Sequence, residues 1–183
     1  MNLKPWLLML PLVYSLSGGE ICTHDSKPWR LGAMEKREQS LQCIEYSPEI
    51  GKVLEISMVP SVFSYIELNY RNRLSIPADE NELKKLNFTL ELLARPAGAV
   101  TTVSVRLIDA TGEIFQFRAA PFKLVSGTWS RISIPIANPS SVWGGNKDRK
   151  MDYPVRFSGL TVDCRKETVE PVILRIDNLE FHR

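Results

Sequence analysis

The chain has 183 residues, of which 44% are hydrophobic and 24% charged, and its formal net charge is +2. This length and hydrophobic content allow one domain with a full core, and they exclude a wholly disordered chain. Lys and Arg are scattered among acidic residues rather than clustered, so the sequence does not indicate a nucleic-acid partner.

Residues 1–19 have the pattern of a secretory signal peptide. Lys4 is the basic start, the apolar run 6–16 follows, and small residues at 15 and 17–19 suit cleavage. The apolar run is too short to cross a bilayer, which takes about 20 residues. A buried N-terminal strand or helix is the alternative. We therefore predict a signal peptide at 1–19, a mature domain at 20–183, a secreted or periplasmic location and no membrane span.

An exported protein is able to form disulfide bonds, and this chain has three cysteines. At most one internal bridge is available, and Cys22–Cys43 would tie down the N-terminal segment. Cys164 ends an alternating run and is typical of a small buried residue. The alternative, in which all three thiols stay reduced, remains open.

Period-two alternation of apolar and polar residues dominates the rest of the chain and predicts short half-buried strands. Turn signals recur about every ten residues, and only a single helical turn near Leu83 is expected. The fold class is therefore all-β: a single antiparallel β-sandwich, or jelly roll, of about nine strands. The strands are predicted at 40–46, 52–59, 62–70, 86–93, 102–107, 115–118, 131–136, 155–164 and 171–181.

Three local features refine this fold. Asp109 and Gly112 suit a four-residue hairpin loop, because Asp bonds nearby backbone amides and Gly accepts positive φ. Pro135 has no N–H and is expected at a strand end or a sheet edge. The last strand changes phase at Asp177 and Asn178, which predicts a bulge.

The sequence contains no recognisable catalytic motif, and its two histidines lie near the ends of the mature chain. Glu55, Glu67 and Glu91 occupy the polar phase of their strands, where a half-exposed sheet needs solvent-facing residues. Two of them in one cleft would instead suit a small sandwich glycosidase or lyase, which needs paired carboxylates. We take the solvent-facing interpretation and expect no enzyme activity.

Aromatic residues are the better candidates for a binding site. Trp143 lies in the polar loop VWGGNKD, where it either contacts a ligand or covers the edge of the core. Trp129 follows a Gly-Thr pair at the start of a strand and is interpreted as structural. The candidate ligand-binding residues are Trp143, Tyr65 and Tyr70 as stacking platforms, and Arg71, Asn146 and Asp148 as hydrogen-bonding groups.

Five segments together resemble a known group of proteins. They are LIDATGEIFQF, VSGTWSRISIPI, the WGG loop, RFSGLTVDC and VILRIDNLEF. Together they resemble the galactose-binding-like β-sandwich carbohydrate-binding modules of secreted bacterial proteins, over about residues 40–183.

The resemblance implies a non-catalytic module that binds a polysaccharide or oligosaccharide, either on the concave sheet face or in the loops at one end. It also implies a structural Ca²⁺ ion near the closing strand, with Asp177 as a ligand, and a partner glycoside hydrolase. From the residues alone, a surface Asp that hydrogen-bonds turn amides is the better explanation of Asp177. A cell-envelope structural or protein-interaction sandwich without a sugar site is the alternative function.

Overall fold

The structure is a computed structural model that describes residues 18–32, 39–59, 65–72, 74–165 and 170–182. Within these ranges the chain forms thirteen strands, one α-helix of four residues, α1 (Glu80–Leu83), and a short 3-10 helix (Ala97–Ala99). The strands are β1 (Gly19–Ile21), β2 (Trp29–Leu31), β3 (Gln39–Ser47), β4 (Gly51–Met58), β5 (Tyr65–Tyr70), β6 (Ser75–Ile76), β7 (Asn87–Arg95), β8 (Val100–Ile108), β9 (Glu113–Arg118), β10 (Ser130–Pro135), β11 (Ser141–Gly144), β12 (Val155–Cys164) and β13 (Val172–His182).

The strands form two antiparallel sheets that pack face to face. The six-stranded sheet has the order β10-β7-β13-β4-β3, with β1 paired to β13. The seven-stranded sheet has the order β11-β9-β8-β12-β5-β2, with β6 paired to β12. The chain passes from one sheet to the other eight times, after β1, β2, β4, β6, β7, β9, β10 and β12. The predicted all-β antiparallel sandwich of the jelly-roll type is confirmed.

Alternation along the strands explains where the core lies. In β7, Phe88, Leu90 and Leu92 point between the sheets and are fully buried. Phe157 on β12 meets them from the other sheet, with its ring centroid 5.9 Å from that of Phe88. Trp29 closes the side of the core, 6.0 Å from Phe157, and its indole N–H donates to the Cys22 carbonyl at 2.7 Å.

Nine of the thirteen strands correspond to the nine that alternation predicts, although residues 62–64 of the third lie outside the described residues. The sandwich has four more strands than expected: β1, β2, β6 and β11. Each contains only two to four residues, which is too short for a period of two to show in the sequence. They form because an adjacent longer strand offers unpaired backbone groups.

The predicted local features are also present. Pro135 is the last residue of β10, an edge strand. The pairing of β13 with β7 shifts register between Asp177 and Glu180, and Asn178 has φ of 45°. α1 is the single helical turn, with the Asp79 carboxylate accepting from the Glu82 amide at its start.

β1 begins at Gly19, the last residue of the predicted signal peptide, and residues 1–17 lie outside the described residues. In the part of the chain that the structure describes, no helix has the length and apolar character needed to cross a membrane.

The loop between β8 and β9 is held by one carboxylate. Asp109 is fully buried, and its Oδ1 accepts from the amides of Thr111 and Glu113 and from the Thr111 hydroxyl, at 2.8 to 2.9 Å. Its Oδ2 accepts from the Asp152 amide at 3.1 Å, which ties the hairpin to the loop after β11. Burial by itself would raise the pKa of Asp109, but these hydrogen bonds outweigh burial and lower it.

The lowered pKa of Asp109 makes its contribution to stability depend on pH. A carboxylate with a depressed folded-state pKa stabilises the fold above its ordinary pKa, and this contribution is lost as the pH falls through the folded-state value. We expect Asp109→Asn to lower the free energy of unfolding by about 2 kcal/mol at pH 7. The deficit should shrink below about pH 4. Urea unfolding at pH 3 to 7 measures this, and a deficit that is constant over the range would contradict it.

All three cysteines have free thiols in the structure. Cys43 is half-buried, and its thiol donates to the Thr23 carbonyl at 3.4 Å, so it lies beside the segment that contains Cys22. Cys164 is buried, and burial raises the pKa of its thiol to about 12.

These environments predict different reactivities. Native protein at pH 8 should leave Cys164 unmodified by iodoacetamide, because the thiolate is the reactive form and burial suppresses it. Mass spectrometry of digested protein locates the modified residues. After unfolding without reductant, three titratable thiols are expected from the structure, whereas a single thiol would show that Cys22 and Cys43 had formed a bridge.

Candidate functional site

The outward side of the seven-stranded sheet is polar, and we call its central part the polar face, formed by Glu67, Ser104, Arg106, Gln116, Trp143 and Thr161. Strand register places these residues in adjacent rows. Thr161 pairs with Glu67 on one side and with Ser104 on the other. Arg106 pairs with Gln116 in the next row, and Trp143 follows on β11 opposite Ile114.

Arg106 is the centre of the polar face. Its Nη1 donates to Glu67 Oε1 at 2.5 Å, and its Nε donates to Gln116 Oε1 at 3.0 Å. Its guanidinium also lies over the Trp143 ring, 5.0 Å from the ring centroid. These contacts come from three different strands, so the guanidinium is held in one position while some of its five N–H donors remain unused by them.

Trp143 is exposed at the edge of this face. Trp143 pairs with Ile114, and Ile114 is one of the residues of β9 that point away from the core. The Trp143 side chain therefore points to the outward side of the sheet as well. The residue is 38% exposed, a large value for an indole. The guanidinium of Arg106 fixes the ring through a cation–π contact. The result is a rigid aromatic surface next to a set of hydrogen-bond donors.

The floor beneath Arg106 is polar and sheltered. Ser104 and Thr161 are both buried, and in the described part of the chain their hydroxyl groups find no hydrogen-bond partner. Asp163 lies one row further along. Burial raises the pKa of its carboxyl group, and the positive charges of Arg118 and Arg106 only partly offset this rise. Buried hydroxyls of this kind need a water molecule or a ligand group as partner.

Two of the predicted stacking residues share the outward side of this sheet. Tyr65 begins β5 and pairs with Asp163, and Trp143 lies on β11. Four strand spacings separate β5 from β11, and the register offsets the two residues by six positions along β8, so they are roughly 30 Å apart on this surface. They lie at opposite margins of one surface.

The other predicted hydrogen-bonding and stacking residues lie away from the polar face. Tyr70 has the inward parity of β5 and packs edge-on against Trp29 and Phe157. Arg71 follows β5, and its amide donates to the Pro28 carbonyl.

Asn146 and Asp148 organise the exposed loop after β11. The Asn146 side-chain amide donates to Asp152 Oδ2 at 3.2 Å, and Asp148 Oδ1 accepts from the Lys150 amide at 2.8 Å. Their side chains therefore bond within the loop itself.

Asp177, the predicted calcium ligand, is buried at the bulge of β13. Its Oδ1 accepts from the Thr23 hydroxyl at 3.1 Å and lies 3.8 Å from His24 Nδ1. Ca²⁺ prefers oxygen ligands, and a histidine this close fits it poorly. In the residues that the structure describes, no group of three or more His, Cys, Asp or Glu side chains is arranged to hold a metal ion. The calcium stays a prediction, and the surroundings of Asp177 fit a hydrogen-bonded carboxylate better.

The three strand glutamates are divided between the two outer faces of the sandwich. Glu67 lies on the outside of the seven-stranded sheet, and Glu55 and Glu91 lie on the outside of the six-stranded sheet. Glu55 is paired with Arg175 at 2.8 Å, and Glu67 is paired with Arg106. Two of the three therefore orient cations, which is not the arrangement of the acid and base of a glycosidase.

The fold is similar to that of several solved structures, although sequence comparisons find no relative. No family model matches the sequence, and no curated protein matches it. A family 11 carbohydrate-binding module from Clostridium thermocellum, in complex with a β-1,3-1,4-mixed-linked tetrasaccharide, matches with a TM-score of 0.58 at 14% identity, covering 90% of this chain and 95% of that one. A family 30 carbohydrate-binding module matches with a TM-score of 0.53 at 11% identity, over 83% of this chain and 86% of that one.

The chain has the fold of a β-sandwich carbohydrate-binding module. The resemblance seen in the sequence is thus confirmed at the level of the fold. An arabinose-bound GH51 α-L-arabinofuranosidase also matches, with a TM-score of 0.55 at 14% identity, covering 85% of this chain. This chain spans about a quarter of that enzyme, 23% of its length.

Most residues of the polar face were not predicted from the sequence. Arg106, Gln116, Ser104 and Thr161 were not among the candidates. Their outward parity within each strand is visible in the sequence, because each alternates with buried residues. What the sequence does not reveal is that β12 lies between β8 and β5 and brings Arg106 within reach of Glu67.

The ion pair at the centre of the polar face should matter for stability. Glu67→Ala removes the carboxylate from a pair whose side chains are only 13% and 25% exposed, and it leaves Arg106 without a counter-charge. We expect a loss of about 2 kcal/mol in the free energy of unfolding. Chemical denaturation measures it.

Glu45→Ala is the matched control for this prediction. It removes an exposed pair with Lys52 at 3.7 Å and should cost less than about 1 kcal/mol. Equal losses in the two variants would show that the Glu67–Arg106 pair is no more stabilising than an ordinary surface ion pair.

Proposed function

We propose that this protein is an exported, non-catalytic carbohydrate-binding module that binds a glycan chain along the polar face. The observation that carries the proposal is the arrangement of Arg106 and Trp143. A rigid exposed indole stands next to a cation that is already positioned by Glu67 and Gln116. Sugar binding needs both elements: an aromatic surface for the apolar side of the ring and directed polar groups for its hydroxyls.

The charge of this site supports a neutral ligand. Glu67 balances Arg106, and Asp163 stands near Arg118. A neutral glycan does not need a compensating charge, and the remaining N–H donors of Arg106 suit sugar hydroxyls. The matching family 11 module was solved with a mixed-linked β-glucan tetrasaccharide, so β-glucans are the first ligands to test.

The shape of the site supports an oligosaccharide rather than a single sugar. Trp143 and Tyr65 lie at opposite margins of the sheet, roughly 30 Å apart, so only an extended ligand reaches both. Between them lies the sheltered row with the Ser104 and Thr161 hydroxyls. Affinity should therefore rise with the length of the glycan.

Export and partnership complete the proposal. The signal-like segment 1–19 supports secretion or a periplasmic location. The match to part of an arabinofuranosidase supports a role beside a glycoside hydrolase. The ion-paired positions of Glu55 and Glu67 support a module without its own catalysis.

Binding to a panel of soluble and insoluble polysaccharides tests the proposal. Residues 20–183 should bind at least one β-glucan, and longer oligosaccharides should bind more tightly than short ones. Trp143→Ala should weaken binding tenfold or more, equivalent to about 1.4 kcal/mol, because the stacking surface is removed. Tyr65→Ala should weaken the binding of long glycans more than that of short ones. Isothermal titration and affinity electrophoresis measure these effects.

Tyr153→Ala is the matched control, because Tyr153 is 37% exposed, like Trp143, but does not belong to the polar face. It should bind glucan like the wild type. Binding that survives Trp143→Ala and is lost in Tyr65→Ala would move the site to the β5 side. Failure of the wild type to bind any polysaccharide would overturn the proposal and favour the protein-interaction alternative.

A further inference from the structure

A cleft of about 590 Å³ lies at one end of the sandwich, apart from the polar face. We call it the end cleft. It lies between α1, residues 136–139 and residues 149–153. Its volume falls within the range typical of sites for small organic molecules.

The floor and one wall of the end cleft are apolar. Phe115, Phe117 and Ile136 form the floor, where the open end of the core meets the cleft. Met151 and Tyr153 form the wall, and Tyr153 is among the exposed large hydrophobic residues of the chain. A ligand bound here would contact mainly carbon atoms at its inner end.

The rim of the end cleft carries surplus positive charge. Glu80 is paired with Lys84 at 2.8 Å, and Asp152 accepts from the side-chain amide of Asn146. Arg149 and Lys150 also line the cleft, and neither has an ion-pair partner within the described ranges. Three cations and two carboxylates line the cleft, so one positive charge is in surplus, and Arg149 and Lys150 are the cations available to a ligand.

The backbone of the loop that carries Arg149 and Lys150 is held by hydrogen bonds to carboxylates. The Arg149 amide donates to Glu113 Oε1 at 3.4 Å, and the Lys150 amide donates to Asp148 Oδ1 at 2.8 Å. Asp152, two residues after Lys150, donates its amide to Oδ2 of the buried Asp109. A loop whose backbone is already ordered loses less entropy when it binds a ligand.

We infer that the end cleft binds a small organic anion with an apolar body, such as an aryl carboxylate. The apolar floor and wall take the ring, and Arg149 and Lys150 take the carboxylate. This site is separate from the glycan site, and its occupation does not depend on the proposed sugar binding.

1-Naphthoate and its neutral counterpart 1-naphthalenemethanol test this inference on residues 20–183. The two molecules share the ring system and differ in charge. Isothermal titration or NMR titration should show naphthoate binding about tenfold more tightly, with the preference declining as salt is added. The double variant Arg149→Gln/Lys150→Gln should abolish the preference for the anion. Trp143→Ala, which removes the glycan platform, should leave naphthoate binding unchanged.

Lys147→Gln is the matched control. Lys147 belongs to the same loop and has φ of 64°, close to the 62° of Arg149, but it does not line the cleft. It should keep the preference for naphthoate, and a thermal melt checks that each variant remains folded. Absence of naphthoate binding, equal binding of the two molecules, or equal losses in the Lys147 variant and the double variant would each overturn the inference.

Discussion

Burial of one side of each long strand determines what the other side offers. The inward residues of the two sheets form a single core, in which Phe88 and Phe157 meet from opposite sides. Because side chains alternate along a strand, a fixed inward register also fixes the outward one. Arg106 and Trp143 reach each other because Leu107 and Phe115 are locked in the core on neighbouring strands. Packing of the core therefore determines which residues meet on the polar face.

The two candidate sites differ in their electrostatics. On the polar face, the cation at the centre is balanced by Glu67 and also donates to the uncharged amide of Gln116. At the end cleft, Lys84, Arg149 and Lys150 stand against Glu80 and Asp152, which leaves one positive charge in surplus. A neutral, hydroxyl-rich ligand suits the first arrangement. An anion suits the second, because Arg149 and Lys150 add positive charge at the edge of an apolar cleft. Charge balance therefore distinguishes two sites in one small domain.

Much of the fold was predictable from the sequence, because it is encoded in local patterns. The nine long strands, the Asp109 hairpin and the bulge at Asp177 each depend on residues close together in the chain. The short strands were not predictable, since pairs such as β6 with β12 depend on a partner far away in sequence. The same limit applies to the site. Trp143 and Tyr65 became candidates through their residue type, whereas Arg106 becomes one only through the order of strands β8, β12 and β5.

The residues that form the polar face also carry a cost for the folded protein. Ser104 and Thr161 bury hydroxyl groups without partners among the described residues, and each such group costs about 1 to 3 kcal/mol. A ligand, or water held by the ligand, that supplies the missing hydrogen bonds binds only to the folded state. Such a ligand at a hundred times its dissociation constant raises the free energy of unfolding by about 2.7 kcal/mol. The stability of the sandwich and the affinity of its polar face are therefore thermodynamically linked.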